Sequence, residues 1–420
     1  MKISELYQIY SQYYLVDTDT RNIRKNTLFF ALKGENFNGN TFAEKALELG
    51  ARFAIVDEEK HKTKENILLV DNVLETLQQL ANYHRKQLQT TIIGLTGSNG
   101  KTTTKELINA VLSTTYKTTA TKGNLNNHIG VPLTLLSILP DTEFGIVEMG
   151  ANHQKEIEFL SNICEPDFGY ITNFGKAHLE GFGGVQGVIK GKSELYTFLK
   201  KHQKKVFINP DDPIQVEKTS GIETIPFASE LSLISVHPFV KLEYGNTVLQ
   251  SNLIGSYNYN NIAVAVTMGN YFKVPTAKIK QAIESYSPTN NRSQIIKQAS
   301  NTIILDAYNA NPSSMKVALE HFASLQEEHK MVILGDMFEL GEDSLEEHQA
   351  IVDLVKSMNF ERSYFVGAHF YATTTDHHQF KDYESFTKHC AKNQPKHFSI
   401  LIKGSRGMRL ERVLEVLEVR

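Results

Sequence analysis

Residues 94–103 read Gly94-Leu95-Thr96-Gly97-Ser98-Asn99-Gly100-Lys101-Thr102-Thr103; they close the apolar run Ile92-Ile93-Gly94-Leu95 and lead into a helical pattern over 103–112. A glycine-rich loop between a strand and a helix turns backbone N–H groups toward phosphate oxygens, and the helix N-terminus adds a favourable potential. Lys101 supplies a mobile positive charge, and the Thr102 hydroxyl can reach Mg²⁺. The spacing departs from the common P-loop, which needs a glycine where Leu95 stands. A plain glycine-rich turn is the alternative, but Gly-Lys-Thr in this context favours phosphate binding. The phosphate-binding candidates are Gly97, Ser98, Asn99, Gly100, Lys101, Thr102 and Thr103.

Outward from this loop, strand-like runs at 145–148 and 169–172 alternate with helical patterns at 103–112 and 154–161. That alternation predicts a doubly wound parallel sheet. Residues 242–249 read as a hairpin flanking it and 258–269 as a helix. Upstream, strand-like runs at 27–32 and 53–56 bracket a helical stretch at 42–49, a small α/β unit, and a polar helical segment at 75–89 follows. Downstream of a Pro- and Asn-containing segment at 288–292 the rhythm resumes with strands at 303–306, 331–334, 364–366 and 400–402, and with helices starting at Ser314 and Leu345. The expected architecture is α/β in three domains, 1–88, 89–287 and 288–420, the central one of P-loop type and the last Rossmann-like. No GxGxxG follows any strand, so dinucleotide binding has no motif behind it.

At about 100–200 residues per domain, a chain of 420 residues suits this division. The composition, 41% hydrophobic and 22% charged, is ordinary for globular proteins. A net charge of -3, from 44 basic and 47 acidic residues, argues against nucleic acid as a partner. Cys164 and Cys390 lie far apart without a CxxC, which excludes a disulfide framework and a thiolate metal site. The N-terminus lacks the apolar core of a signal peptide and no later stretch is long and uncharged enough to span a bilayer, so a cytoplasmic protein without membrane insertion is expected.

Three further positions attract chemical readings. Glu148 ends a strand beside the phosphate loop, where a Mg²⁺ ligand would sit; a surface glutamate fits the pattern equally well. His178, in Ala177-His178-Leu179-Glu180-Gly181-Phe182-Gly183, could ligate metal or orient a phosphate, although a lone loop histidine is more often simply solvated. Lys192 reads, by pattern alone, as a charged residue at the start of a helix.

Taken in order, these blocks resemble the Mur ligases over nearly the whole chain. The resemblance rests on Asp19-Thr20-Arg21, Ala31-Leu32-Lys33-Gly34, the loop Thr96 to Thr102, Gly123-Asn124-Leu125-Asn126-Asn127 and Glu148-Met149-Gly150-Ala151-Asn152-His153. It continues through the His178 block, Asp306-Ala307-Tyr308-Asn309-Ala310-Asn311-Pro312, Gly335-Asp336-Met337 and Lys403-Gly404-Ser405-Arg406. It implies a domain for a UDP-sugar substrate, a central ATPase domain and a C-terminal domain that completes the nucleotide site and receives a dipeptide. The implied reaction ligates D-alanyl-D-alanine to UDP-N-acetylmuramoyl-tripeptide at the cost of ATP, a step of peptidoglycan synthesis on which cell shape and division depend. In the family the lysine matched by Lys192 is carbamylated and joins Glu148, His178 and Thr102 around two Mg²⁺ ions. Asn261 matches a contact to adenine, and Arg292 and Asp306 match residues that reach ATP. The implied catalytic set is Lys101, Glu148, His178, Lys192 and Arg292, and substrate contacts fall to Thr20, Arg21, Lys33, Asn124, Asn126 and Asn127. A monomer is expected.

Two positions depart from the family: Tyr257-Asn258 stands for a usual His-Asn pair, and Gly191 for the alanine before the carbamylated lysine. Tyrosine does not replace an imidazole acceptor, which leaves the adenine geometry open. Rival readings are the sister ligase that adds the third stem residue, whose Asp-Asn-Pro-Arg block is missing here, folylpolyglutamate synthase, and a non-catalytic nucleotide-gated regulator. A pure binding protein would not need Lys101, Glu148, His178, Lys192, Arg292 and Asp306 together.

Overall fold

The computed structural model describes residues 1–288 and 291–417; Thr289 and Asn290, within the expected boundary segment, and 418–420 lie outside the described residues. Three parallel-type sheets follow one another along the chain. The first holds Val16–Asp17, Leu28–Phe30, Phe53–Val56 and Ile67–Leu69, all parallel. The second is a six-stranded parallel sheet in the order Glu223–Pro226, Lys205–Ile208, Phe168–Ile171, Thr91–Thr96, Phe144–Glu148 and Thr118–Ala120. Strand order reverses at Thr91–Thr96, so a crevice opens at the carboxyl end of that strand, where the glycine-rich loop emerges.

The helix Val73–Gln87 links the first two sheets. Asn72 caps it by accepting from Glu75 N. Its buried stripe Val73, Leu77, Leu80, Ala81 and His84 recurs at helical spacing. This face packs on the helices Ile3–Tyr10, Gly130–Leu135 and Glu156–Cys164. Arg85 in its last turn reaches the second sheet, donating to the carbonyls of Thr90, Cys164 and Glu165 and pairing with Asp167 at 2.7 Å.

The expected hairpin over 242–249 is present as Lys241–Tyr244 and Thr247–Gln250, turning at Gly245 with φ +56. A third strand, Leu231–Ser235, joins it, a segment in which the sequence shows no clean alternation. The third sheet runs Gln294–Gln298, Asn301–Asp306, Ser399–Lys403, Lys330–Gly335, Arg362–Val366 and His378–Phe380. Only Gln294–Gln298 is antiparallel, an edge strand that the βα rhythm did not foretell. Among the described residues no helix is long and apolar enough to cross a membrane, and Cys164 and Cys390 are buried and unpaired.

Two features of this packing make measurable claims. Arg85 is nearly buried, and although Asp167 keeps Lys204 at 2.7 Å and Ile92 N at 2.9 Å, Arg85→Met leaves the carbonyls of Thr90, Cys164 and Glu165 short of a donor and is expected to cost about 1–2 kcal/mol, read as a lower urea midpoint. His321, on the helix Pro312–Ser324, stacks on His237 with ring centroids 5.6 Å apart, and its Nε2 has no partner. Burial first, then the charge of His237, push its pKa from 6.5 down to about 4. The unfolded chain takes up this proton first, so the contribution of the neutral ring is whole above pH 6.5 and is lost as pH falls toward 4. His321→Leu is expected to flatten the fall of the urea midpoint across that window.

Candidate active site

The loop after Thr91–Thr96 is held by the end of the neighbouring strand. Gly97 has φ +144, and a Cβ there would stand 2.0 Å from Thr172 Oγ1 and 2.9 Å from Thr172 N, so only glycine fits. Ser98 N donates to Asn173 O at 3.0 Å, Thr172 Oγ1 to Asn99 O at 2.6 Å, and Ser98 Oγ to Gly175 O at 2.6 Å. Gly100, with φ +79, starts the helix Lys101–Leu112, two residues earlier than the sequence pattern indicates.

Lys101 Nζ donates to Gly97 O at 2.6 Å and Ser98 O at 3.3 Å. Burial lowers its pKa; Glu148 pulls it back and the Arg292 charge lowers it further. Lys101 and Arg292 therefore share one field, which an anion between them would relieve.

Glu148 does end its strand, and it is 1% exposed, which removes the surface-glutamate reading. Its carboxylate accepts from Thr102 Oγ1 at 3.0 Å and from Asn126 Nδ2 at 2.8 Å. A buried carboxylate met by neutral donors and a helix-start hydroxyl suits a divalent cation. Among the described residues no three His, Cys, Asp or Glu side chains converge on one point. Of the expected ligand set, Thr102 and Glu148 touch each other, whereas His178 turns its Nδ1 to the Glu339 carboxylate. His178 sits in the left-handed region at φ 53 as the residue before the short helix Leu179–Phe182, not as a freely solvated loop side chain.

Lys192 corrects the pattern-based reading most. It ends the helix Val185–Lys192 instead of starting one, and it is fully buried. Its Nζ donates to Ala151 O at 3.2 Å and stands 4.9 Å from the Phe182 ring centroid. Burial, reinforced by the Lys101 charge, holds its pKa well below the usual lysine range, against the pull of Glu156 and Glu194. Gly191 has a packing reason: a Cβ there would come within 2.4 Å of the Phe182 ring.

The opposite wall comes from the third sheet. Asp306 pairs with Lys403 Nζ at 2.5 Å and accepts from Ser293 N at 3.1 Å. Tyr257, the departure from the family pair, lies within 2.8 Å of Ser293 Oγ through its hydroxyl. The Asn261 amide is engaged by Thr104 Oγ1 at 2.9 Å and Asn258 Oδ1 at 2.8 Å, and it packs against Gly100. Contacts also cross from the loop side to the third-sheet side: Asn311 Nδ2 donates to Asn99 Oδ1 at 2.7 Å, Lys176 pairs with Glu347 at 2.5 Å, and His178 with Glu339.

Between these walls lies a cavity of about 800 Å³. It gathers Ser98 through Thr103, Asn124, Asn126, Asn127, Glu148, His178, Asn261, Arg292 and Asp306. Gly97 and Lys192 lie outside its lining, the latter buried. Thr20, Arg21 and Lys33 are elsewhere: Arg21 is paired with Asp19 at 2.5 Å and Lys33 with Asp57 at 2.9 Å. The cavity adds Asn173, Tyr308, Asn311 and Lys403, for which the sequence offered only membership of a quoted block or nothing. Their signal is spatial; Asn99 and Asn311, for instance, are 212 positions apart.

Comparison with known proteins agrees with this geometry. The family descriptions "Mur ligase family, catalytic domain", "Mur ligase middle domain" and "Mur ligase, glutamate ligase domain" match residues 12–85, 95–269 and 291–406. The UDP-N-acetylmuramoyl-tripeptide–D-alanyl-D-alanine ligase of Bacillus subtilis is 34% identical, with 96% of this chain and 92% of that protein covered. The crystal structure of MurF from Acinetobacter baumannii superposes with a TM-score of 0.83 at 30% identity, covering 96% of this chain and 93% of that one. MurF from Thermotoga maritima in complex with ADP gives 0.84 at 26% identity, covering 96% and 97%. The chain belongs to the Mur ligase family, on its MurF branch.

Proposed function

We propose that this chain is the ATP-dependent ligase that joins D-alanyl-D-alanine to UDP-N-acetylmuramoyl-tripeptide, giving the pentapeptide precursor of peptidoglycan, ADP and phosphate. The observation that carries the reading is one cavity lined by a phosphate loop on one side and by Arg292, Asp306 and Lys403 on the other. MurF relatives carrying this activity in their names, and an ADP-bound relative, support it. Residues 1–88 would serve the UDP-muramoyl substrate through Thr20, Arg21 and Lys33, 89–287 would bind ATP, and 288–420 would add dipeptide and ATP contacts. Asn124, Asn126 and Asn127 would meet the peptide end of the sugar substrate. The protein would act as a cytoplasmic monomer.

The chemistry needs an anionic carboxylate to attack the γ-phosphate of ATP. Lys101 and Arg292 offset the charge that builds on the transferring phosphoryl group, and the loop N–H groups orient it. The resulting acyl phosphate is attacked by the dipeptide amine through a tetrahedral intermediate, and phosphate leaves. Contacts such as Asn99–Asn311 and Lys176–Glu347 close the two walls around that intermediate and keep water away. Thr102 and Glu148, with His178 and modified Lys192, would hold two Mg²⁺ ions, which supply further charge neutralisation when bound. Asn261 and Asp306 would position the nucleotide; the engaged amide of Asn261 leaves one N–H for adenine. Burial lowers the proton affinity of Lys192 and so favours the free amine, the nucleophile that carbon dioxide requires. Its lone pair bonds to the carbon, an N–H proton leaves to solvent, and the side chain becomes a carboxylate-like carbamate anion.

Incubation with ATP, Mg²⁺, the UDP-muramoyl-tripeptide and D-alanyl-D-alanine should give a pentapeptide by mass, with phosphate release dependent on both substrates; release without product would overturn the assignment. Lys101→Ala should lower kcat by roughly a thousandfold while the fold is kept. Lys192→Ala should lose activity by about a hundredfold or more and regain part of it with added short carboxylates; unchanged activity would sink the carbamate.

A further inference from the structure

The cations around the cavity are mostly committed. Lys101 serves the loop carbonyls, and Lys403 is paired with Asp306. Arg292, its Nε buried and without a partner, lines the cavity together with the loop residues Ser98 to Thr103, which Arg406 does not. Arg406 is placed differently. Lys403, Gly404 and Ser405 before it are buried. Ser405 N donates to Asp336 O at 3.1 Å and its Oγ accepts from Phe338 N at 2.9 Å. The backbone therefore fixes where Arg406 leaves the sheet. Its side chain is exposed and lies over Tyr308, a cavity-lining ring, with Cζ 5.1 Å from the centroid. Arg292 Cζ lies 3.7 Å from the same centroid. Neither guanidinium is paired with a carboxylate among the described residues. Two like charges sharing one ring repel, and anions relieve that repulsion.

The reaction brings two kinds of anion to this wall. The phosphates belong to the side of Lys101 and Arg292. The other is the C-terminal carboxylate of the acceptor dipeptide, which stands about 7 Å from its attacking amine when extended. A cation for it must lie beyond the phosphate site, on the third-sheet wall, and be free to pair. We propose that Arg406 is the specificity-determining residue for the amine substrate: it receives the dipeptide carboxylate as a two-pronged pair while Tyr308 holds its plane. This rests on the acceptor named under Proposed function.

The test compares D-alanyl-D-alanine with its neutral C-terminal amide in steady-state assays of the full-length enzyme. The wild type should prefer the carboxylate, and Arg406→Met should lower kcat/KM for it by roughly ten- to a hundredfold, chiefly through KM. The amide and ATP parameters should stay within about twofold, so the preference collapses. Arg406→Lys should fall between the two, and it serves as the second probe should the Met variant fail to fold. A preference that survives in the variants, or a rise in KM for ATP instead, overturns the proposal. A wild type that releases phosphate with other amines but not with the dipeptide overturns the acceptor assignment itself, and this proposal with it.

Discussion

Basic side chains crowd one another at the heart of this molecule, Lys101 and Arg292 on the lining of the cavity and Lys192 fully buried. Burial lowers the proton affinity of Lys101 and of Lys192; the Arg292 charge lowers that of Lys101 further, against the pull of Glu148, and the Lys101 charge lowers that of Lys192. Desolvating a cation costs several kcal/mol, so such a cluster persists only where the fold holds it rigidly. The rigidity is supplied at Gly97, which lies so close to Thr172 that no side chain fits, and by the bonds that fasten Ser98 and Asn99 to Asn173 and Gly175. The loop is thus preorganised for a polyanion before any arrives.

The same economy explains the third sheet. Its strand ends deliver Asp306 and Lys403 as an internal pair, and Arg292 to face the loop. Contacts such as Asn99–Asn311 and His178–Glu339 join walls that are far apart in sequence. They are polar and small in number, which suits surfaces that must separate to admit substrates and meet to exclude water.

Much of this was legible in the chain itself. The Gly-rich loop between an apolar run and a helical pattern announced both the parallel sheet and the phosphate site, because backbone N–H groups and a helix start are local features. The strand ends at Glu148 and Asp306 were likewise legible, since runs of buried residues are local. Lys192 was not. Its charge and its place beside Lys190 suggest a solvated helix residue, and only the packing of Phe182 and Ala151 around it shows a buried amine. The edge strand Gln294–Gln298 escaped for a related reason: its exposure alternates, but the residue types Gln-Ile-Ile-Lys-Gln do not follow that alternation and give no period to read.

The sequence by itself determined the βα alternation of the central and last sheets, the loop that grips phosphate and the family to which the chain belongs, because each is written in contiguous residues. Tertiary structure alone decided which charges stand together. The pairing of His178 with Glu339, the placing of Arg292 and Arg406 over Tyr308, and the burial of Lys192 join residues far apart along the chain. The physical reason is that an electrostatic field depends on distance and on exclusion of water, and neither exists until the sheets have packed.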